Sequence, residues 1–300
     1  MTLRIATRGS RLARWQAERV GSLLGGDVRI VAVETAGDVD QRSALHAIGG
    51  QGVFVKEVQQ AVLDGRADVA VHSAKDLPSD TPDGLVLAAV PERADPRDAL
   101  VGATLRDLPA GARIGTDSVR RRAQLAHERP DLVFGPLRGN IETRLRKREE
   151  QGYDAVVVAY AALGRLGLAD RATDVLDPAV VLPQVAQGAL AVECRAGDAR
   201  TRARVARIDD VAAHRRVDAE RAFLAELGGG CAVPCGALAT IDDEGDGALV
   251  LDALLASLDG HVVLRTRVTG DDPVEVGRTA ARDLLDGKGG RALLEVEVDR

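Results

Sequence analysis

The chain has 300 residues and a net charge of −6, and 45% of its residues are hydrophobic. This length accommodates more than one domain of ordinary size. Aromatic residues make up only 2% of the chain, so few rings can stack on bases, and the acidic balance disfavours general binding to nucleic acid. No apolar run approaches the roughly 20 residues that cross a membrane. We therefore expect a cytoplasmic protein with no nucleic-acid and no membrane partner.

Short apolar runs alternate with helical patterns in the first 90 or so residues. Strands are predicted at 3–7, 28–33, 68–71 and 85–90, and helices at 10–24 and 54–64. Ser10 stands where it would cap the first helix. This order is typical of an α/β domain with a largely parallel sheet.

A charged stretch with two prolines, at 91–97, interrupts this order and predicts a linker. A second α/β unit follows, with strands predicted at 112–116, 132–137 and 155–159 and helices at 118–128 and 141–150. A second break at 183–188 is followed by a single predicted strand at 189–194. The segment between this break and the helix predicted from residue 209 is too short for another domain. We expect that strand to return to the first sheet.

The rest of the chain predicts a smaller α+β part. Its elements are a helix at 209–227, strands at 237–241, 248–255 and 262–268, and a helix at 273–285. The predicted fold class is α/β, with two α/β domains and a smaller α+β C-terminal domain. The predicted boundaries are 1–92 plus 189–207 for domain 1, 97–184 for domain 2 and 209–300 for domain 3.

Several strand-to-helix turns carry Gly, Ser or Thr beside arginine. Free backbone N–H groups at a helix start, joined by a hydroxyl and a guanidinium group, favour a carboxylate or a phosphate. In an acidic chain this repetition predicts a polyanionic small-molecule ligand. The arginines expected to contact it are Arg8, Arg120, Arg121, Arg138 and Arg144. Replacing Arg120, Arg121 or Arg144 is expected to leave thermal stability nearly unchanged, and Arg146, Lys147 and Arg148 are expected to solvate a helix face.

Asp76 lies just beyond a predicted buried strand, at the edge where α/β sheets bind ligands. A carboxylate there could stabilise a developing cation or pass a proton to a leaving amine. The alternative is a turn aspartate that caps the backbone. His72 and Ser73 point to opposite faces of a strand, so they do not predict a triad with Asp76.

Cys231 follows three glycines, and a thiol on so permissive a backbone can project and form a covalent bond. The alternative is a tight turn that carries a small hydrophobe. The chain has two other cysteines, Cys194 and Cys235, and the set fits a reducing compartment rather than a disulfide framework. The histidines show no paired spacing, so no metal site is expected.

In order along nearly the whole chain, short motifs resemble the porphobilinogen deaminase (hydroxymethylbilane synthase) family. The matching motifs are 4–10 with 15–16, 52–57, 72–76, 93–98, 120–121, 137–140 with 143–144, 187–189, 193–195, and 229–231 with Pro234. Their combination is specific to this family, although no single motif is.

The resemblance implies a monomeric three-domain transferase of tetrapyrrole biosynthesis, with two lobes like those of a periplasmic binding protein. Such an enzyme joins four porphobilinogen molecules head to tail and releases ammonia and hydroxymethylbilane. It also implies a dipyrromethane cofactor attached to Cys231 through a thioether, with Asp76 as the catalytic residue. The implied cofactor-binding residues are Lys75, Thr116, Ser118, Arg120, Arg121 and Arg144. The implied substrate-binding residues are Arg8, Ser10, Gln16, Phe54, Arg138 and Arg165.

The sequence departs from the family pattern at three positions. Gln51 stands where the family often has lysine, and Asp117 where serine is common, so we carry no ligand contact onto Asp117. Cys235 replaces an aliphatic residue, which predicts packing.

Two other functions stay open from the residues alone. One is a non-catalytic carboxylate-binding sensor module, and the other is a cysteine-nucleophile enzyme that would need His214 as its base.

Overall fold

The computed structural model describes residues 2–35, 52, 54–228, 233–242 and 247–295. Contacts between residues divide the chain into two compact units. The first unit is Met1–Ala94 with Gly188–Arg215, and the second is Asp95–Gln187 with Arg216–Arg300.

The described strands and helices are numbered in chain order. The strands are β1 (Leu3–Arg8), β2 (Val28–Val33), β3 (Val69–Ser73), β4 (Leu85–Ala89), β5 (Asp98–Val101), β6 (Arg113–Gly115), β7 (Val133–Gly135), β8 (Ala155–Ala159), β9 (Asp174–Val175), β10 (Leu190–Arg195), β11 (Cys235–Ile241), β12 (Leu249–Ala256) and β13 (Val263–Gly270). The helices are α1 (Arg11–Leu24), α2 (Lys56–Leu63), α3 (Val119–Glu128), α4 (Ile141–Glu150), α5 (Tyr160–Arg165), α6 (Ala199–Val205), α7 (Val211–Leu227), α8 (Pro273–Arg282) and α9 (Arg291–Glu295).

The first unit is built on a five-stranded sheet in the order β2-β1-β3-β10-β4. Strands β1, β2 and β3 are parallel, and β10 runs antiparallel to both β3 and β4. The aliphatic side chains of β1, β3 and β10 are buried, as expected of central strands covered on both faces. Ile5, Val69 and Val192 from three neighbouring strands lie in one core cluster.

The second unit contains a sheet of the same design, in the order β7-β6-β8-β5-β9. Strands β6, β7 and β8 are parallel, and β5 runs antiparallel to β8 and β9. In each sheet, therefore, one strand runs antiparallel between the third parallel strand and the edge strand. This strand is β10 in the first sheet and β5 in the second. The core of the second sheet includes Leu100, Ile114 and Val157, all fully buried.

The second unit also contains an antiparallel sheet in the order β11-β12-β13. Leu254 of this sheet joins Ala123 and Leu182 in a buried cluster. The backbone approaches closely at Gly236, where a Cβ atom would lie 2.9 Å from the carbonyl oxygens of Leu182 and Pro183. Only glycine fits so close to another backbone segment.

These observations confirm the predicted fold class of two α/β sheets with a smaller C-terminal sheet. They also confirm the return of the strand predicted at 189–194, which is β10, to the first sheet. The sequence analysis missed β5, which begins directly after the predicted linker. The three domain boundaries stay a prediction. In the part of the chain that the structure describes, no helix combines the length and apolarity that a membrane span requires.

Candidate active site

The carboxyl ends of β1 and β3 lie side by side because the two strands are parallel neighbours. Thr7, near the end of β1, is buried, and its hydroxyl lies 3.2 Å from the carbonyl oxygens of Ala13 and Val71. Ser10 then caps α1, and its Oγ accepts a hydrogen bond from the Ala13 N–H at 3.3 Å. The predicted cap is confirmed, and its substrate contact stays a prediction.

Arg8 and Phe54 meet at this edge of the first sheet. The guanidinium carbon of Arg8 lies 4.0 Å from the centroid of the Phe54 ring, which is the geometry of a cation–π contact. Phe54 precedes α2 and Arg8 ends β1, so the contact joins two segments distant in sequence. It brings a cation and an aromatic face together at this edge of the sheet.

Lys75 and Asp76 follow β3 on one turn of 3₁₀ helix, Ala74–Asp76, and both are half-buried. The Ala74 N–H donates to the carbonyl of Ala189 at 3.1 Å, and the Leu77 N–H donates to the Ala74 carbonyl at 3.2 Å. Backbone bonds therefore fix both ends of the turn. Among the described residues, no donor or cation contacts the Asp76 carboxylate, so both of its oxygens can accept hydrogen bonds from a ligand.

The second unit has a similar edge at the ends of β6 and β7. Ser118 caps α3, and the Thr116 hydroxyl accepts a hydrogen bond from the Ser118 N–H at 3.2 Å. Asp117 accepts the Leu137 N–H at 3.0 Å, and its other oxygen lies 3.6 Å from Arg138 Nε. The Asp117 carboxylate thus fixes the turn at Leu137 and partly neutralises the charge of Arg138. The aspartate that departs from the family pattern therefore has a structural role.

Arg138 and Arg144 belong to the turn that starts α4. Gly139 has a φ of 118°, and its carbonyl accepts a hydrogen bond from Arg144 Nε at 2.8 Å. A Cβ at Gly139 would lie 2.6 Å from a methyl group of Thr143, so the turn requires glycine. Arg138 Nη1 is buried and has no hydrogen-bond partner among the described residues. An acceptor brought by a ligand would satisfy it.

Arg165 ends α5 and is half-buried. Burial lowers its pKa to about 10, and the side chain therefore remains cationic at neutral pH. Arg146, on the outer side of α4, is largely exposed and pairs with Glu150 at 3.2 Å. That position agrees with the solvating role expected for it. The same expectation is corrected for Lys147 and Arg148, which are half-buried, and Lys147 Nζ donates to the Arg138 carbonyl at 3.1 Å.

Arg120 and Arg121 differ from their expected position. Both are buried in the first turn of α3, and both guanidinium groups contact the carboxylate of Asp98. The expectation that their replacement would leave stability unchanged is therefore corrected, since replacing either would remove one of the two buried ion pairs that the Asp98 carboxylate makes. The sequence signal that could have found Asp98 was a carboxylate within a family motif, but nothing in it specified two arginines more than 20 residues away.

Five other residues complete the comparison with the sequence. Cys231 and Gln51 lie outside the described residues. Cys235 is buried at the start of β11, as its predicted packing role requires. His214, the base required by a cysteine-nucleophile enzyme, lies with Nδ1 2.8 Å from Asp209. Gln16, whose partner the sequence did not reveal, is buried and donates to Ser73.

Two models of known protein families match the chain. Residues 3–203 match the model of the porphobilinogen deaminase dipyromethane cofactor binding domain, and residues 214–286 match that of the porphobilinogen deaminase C-terminal domain. The chain belongs to the porphobilinogen deaminase family. This membership does not favour the alternative of a sensor module without catalysis.

Relatives of known name cover almost the whole chain. The porphobilinogen deaminase of Roseiflexus castenholzii is 49% identical over 98% of this chain and 98% of its own length. That of Syntrophus aciditrophicus is 44% identical over the same shares. Among solved structures, the periplasmic VFT2 domain of Bordetella pertussis BvgS is 15% identical over 69% of this chain and 86% of its own, with a TM-score of 0.40. A likeness at that TM-score supports no statement about ligands.

The porphobilinogen deaminase family implies a dipyrromethane cofactor, and the described residues fit such a group. Its side chains are carboxylates, and the second unit has the unsatisfied Nη1 of Arg138 and, at the start of α3, the hydroxyls of Thr116 and Ser118. Charge-assisted bonds between guanidinium and carboxylate groups are among the strongest that proteins make. The edge of the second sheet therefore has the donors that the cofactor needs.

Proposed function

We propose that this chain is a transferase that joins four porphobilinogen molecules head to tail and releases ammonia and hydroxymethylbilane. The observation that carries the proposal is Asp76, a half-buried carboxylate on a fixed turn at the end of β3, and β3 is the parallel neighbour of the strand that ends at Arg8. Family membership supplies the substrate class. The proposal includes a monomeric enzyme in the cytoplasm that acts in tetrapyrrole biosynthesis.

Asp76 would act on the reacting pyrrole. When the bond between the aminomethyl carbon and nitrogen breaks, ammonia leaves and the ring becomes cationic. A carboxylate that accepts a hydrogen bond from the ring N–H would stabilise that charge. The second ring, which attacks, also becomes cationic until it loses a proton, and the same carboxylate would stabilise it in the same way. Fixed groups of this kind are worth about 100-fold or more in rate. The two backbone bonds of the Ala74–Asp76 turn would hold the carboxylate in place.

The acetate and propionate groups of the substrate require cations at a fixed spacing. In the first unit, Arg8 and Ser10 would bind them, with Phe54 against the ring and Gln16 supporting the end of β3. In the second unit, Arg138 and Arg165 would bind substrate carboxylates. Each of these arginines is half-buried, so its charge is screened less by solvent than that of an exposed side chain.

The dipyrromethane cofactor would be held by a thioether to Cys231 and by contacts from Lys75, Thr116, Ser118, Arg120, Arg121 and Arg144. When bound, it supplies the pyrrole carbon to which the first substrate unit is added. The hydroxyls of Thr116 and Ser118 lie at the start of α3, where the backbone already favours anions. Arg144 lies on the first turn of α4, a similar position.

The test is the stoichiometry of turnover. Purified protein given porphobilinogen should release four ammonia molecules for each hydroxymethylbilane trapped as its cyclised product. Asp76→Asn should lower the rate at least 100-fold with an unaltered melting temperature. Asp83→Asn, at an exposed position of the same unit, is the matched control and should behave like the wild type. Near-normal turnover by folded Asp76→Asn protein would reject the assignment of Asp76, and no product from the wild type would reject the function.

A further inference from the structure

Asp98 is fully buried at the first position of β5 and accepts hydrogen bonds from three side chains. Arg120 Nη2 donates to Oδ2 at 2.7 Å. Arg121 donates to Oδ1 from Nε at 3.0 Å and from Nη2 at 2.7 Å. Gln187 Nε2 also donates to Oδ1, at 2.9 Å. Both carboxylate oxygens are therefore occupied by partners from distant parts of the chain.

The charges of this group do not cancel. One carboxylate faces two guanidinium groups, so the three side chains carry a net charge of +1. Burial alone would raise the pKa of the Asp98 carboxyl, but Arg120 and Arg121 outweigh it and hold that pKa well below its usual range. Burial lowers the pKa of Arg120, against the opposing charge of Asp98. The group is therefore a fixed, buried cation.

Backbone carbonyls hold the far side of each guanidinium group. Arg120 Nη1 donates to the Leu182 carbonyl at 2.6 Å, and Arg121 Nη1 donates to the Val157 carbonyl at 3.1 Å. Gln187 Nε2, besides binding Asp98, donates to the Pro96 carbonyl at 2.7 Å. Contacts on two sides leave each arginine with little rotational freedom. Such preorganisation is what electrostatic binding sites need.

The location of Asp98 connects this group to the candidate site. Asp98 pairs with Ala159, the last residue of β8. It therefore lies at the same edge of the sheet as Thr116, which follows the parallel strand β6. The two arginines begin the helix that Ser118 caps. The positively charged group of Asp98, Arg120 and Arg121 thus lies at the sheet edge where we propose that the cofactor's carboxylates bind.

We propose that Asp98 is a positioning residue, which fixes Arg120 and Arg121 where they bind the carboxylates of the cofactor. This inference rests on the proposed function. A buried ion pair is weak evidence for stability, since apolar side chains of similar volume often stabilise a core as well or better. A carboxylate shared by two arginines, with net positive charge left over, is instead suited to holding cations for an anionic ligand.

The test compares two substitutions on the same strand. Asp98→Asn removes the charge that aligns the arginines. Leu100→Ala, two residues along β5, opens a cavity in the core and leaves every charge and side-chain hydrogen bond of the Asp98 group in place. Each full-length variant is purified, its melting temperature is measured, and intact mass gives the fraction of molecules that carry the two-pyrrole increment. We expect that fraction to fall at least tenfold in Asp98→Asn and to stay near the wild-type value in Leu100→Ala. Equal loading of the two folded variants would overturn the proposal.

A second variant decides the matter if Asp98→Asn does not fold. Gln187→Met keeps every charge and removes the hydrogen bonds to Asp98 and to the Pro96 carbonyl, so the arginines lose part of their alignment. We expect a loaded fraction at least threefold below that of Leu100→Ala, and loading equal to the wild type would overturn the proposal. Absence of the increment from the wild-type protein would instead reject the proposed function, which keeps the two failures distinct.

Discussion

Gln16 Nε2 on α1 donates a hydrogen bond to the Ser73 hydroxyl at the end of β3, over a distance of 2.7 Å. Gln16 is buried, and Ser73 lies three residues before Asp76. The bond links the first helix to the strand end that carries the proposed catalytic carboxylate. A buried amide needs such a partner, because an unsatisfied polar group in the core is costly.

Gln16→Leu should loosen that strand end. We expect a stability loss of about 1 kcal/mol, the usual contribution of a buried hydrogen bond. We expect kcat to fall about tenfold or more, because a small misplacement of a catalytic group costs rate. Urea unfolding and initial rates measure the two effects. Gln60→Leu, at an exposed glutamine of α2 that bonds Asp64, is the control and should change neither. A destabilised Gln16→Leu protein with normal kcat would reject the link to catalysis.

Arg144→Leu should impair elongation without weakening the fold. Arg144 is half-buried on the first turn of α4, where anions are favoured, and its proposed partner is a carboxylate of the cofactor. Mass spectra after addition of porphobilinogen should show a lowered cofactor content or intermediates that remain attached to the protein. Arg146→Leu, an exposed change on the same helix, should elongate normally. If Arg144→Leu also releases product at the normal rate, Arg144 has no role in binding the chain.

Arg121→Leu should lower stability strongly, in contrast to Arg144→Leu. Its guanidinium is buried on Asp98, and removal of one partner of a buried ion pair typically costs about 3–5 kcal/mol. Arg120 would remain as the other partner of Asp98, so we place the expected loss at the lower end of that range. Chemical denaturation of both variants measures the contrast. Stability losses of equal size would show that Arg121 is not held as the structure has it.

The pH dependence of stability should report on Asp98. Its pKa is lowered in the folded protein, so its contribution is present above its ordinary pKa of about 3.9 and is lost as pH falls further. The free energy of unfolding of the wild type should therefore exceed that of Asp98→Asn at pH 5, and the difference should shrink as pH falls toward 2. Urea unfolding across that range measures it. A difference independent of pH would contradict the buried, ionised carboxylate.

The sequence predicted most elements because their signals are local. Alternating apolar runs and the cap Ser10 locate strands and helix starts within a residue or two, and the structure adds Ser118 and Asn140 as further caps. The candidate site was predicted less completely. Asp98 reaches Arg120, Arg121 and Gln187 across separations of 22 to 89 residues, and no local pattern encodes such contacts.

Strand β5 was missed for a similar reason. It follows a charged stretch with two prolines, and its four residues are too few for a period of two to show in the sequence. Its burial comes from β8 and β9, which flank it in the sheet. The family resemblance implied roles for Asp76 and Cys231, but it could not show that Arg120 and Arg121 are buried on a carboxylate.

Mass spectrometry of the intact and digested protein tests the central claim most directly. Purified wild-type protein should carry the mass of two pyrrole units beyond its sequence, and peptide mapping should locate them on Cys231. Cys231→Ser protein should lack both the increment and activity. Cys235→Ser should keep both with a modest loss of stability, because that thiol is buried at the start of β11 and acts as a small hydrophobe. A wild-type protein without the increment, or an adduct mapped to Cys194 or Cys235, would contradict the account.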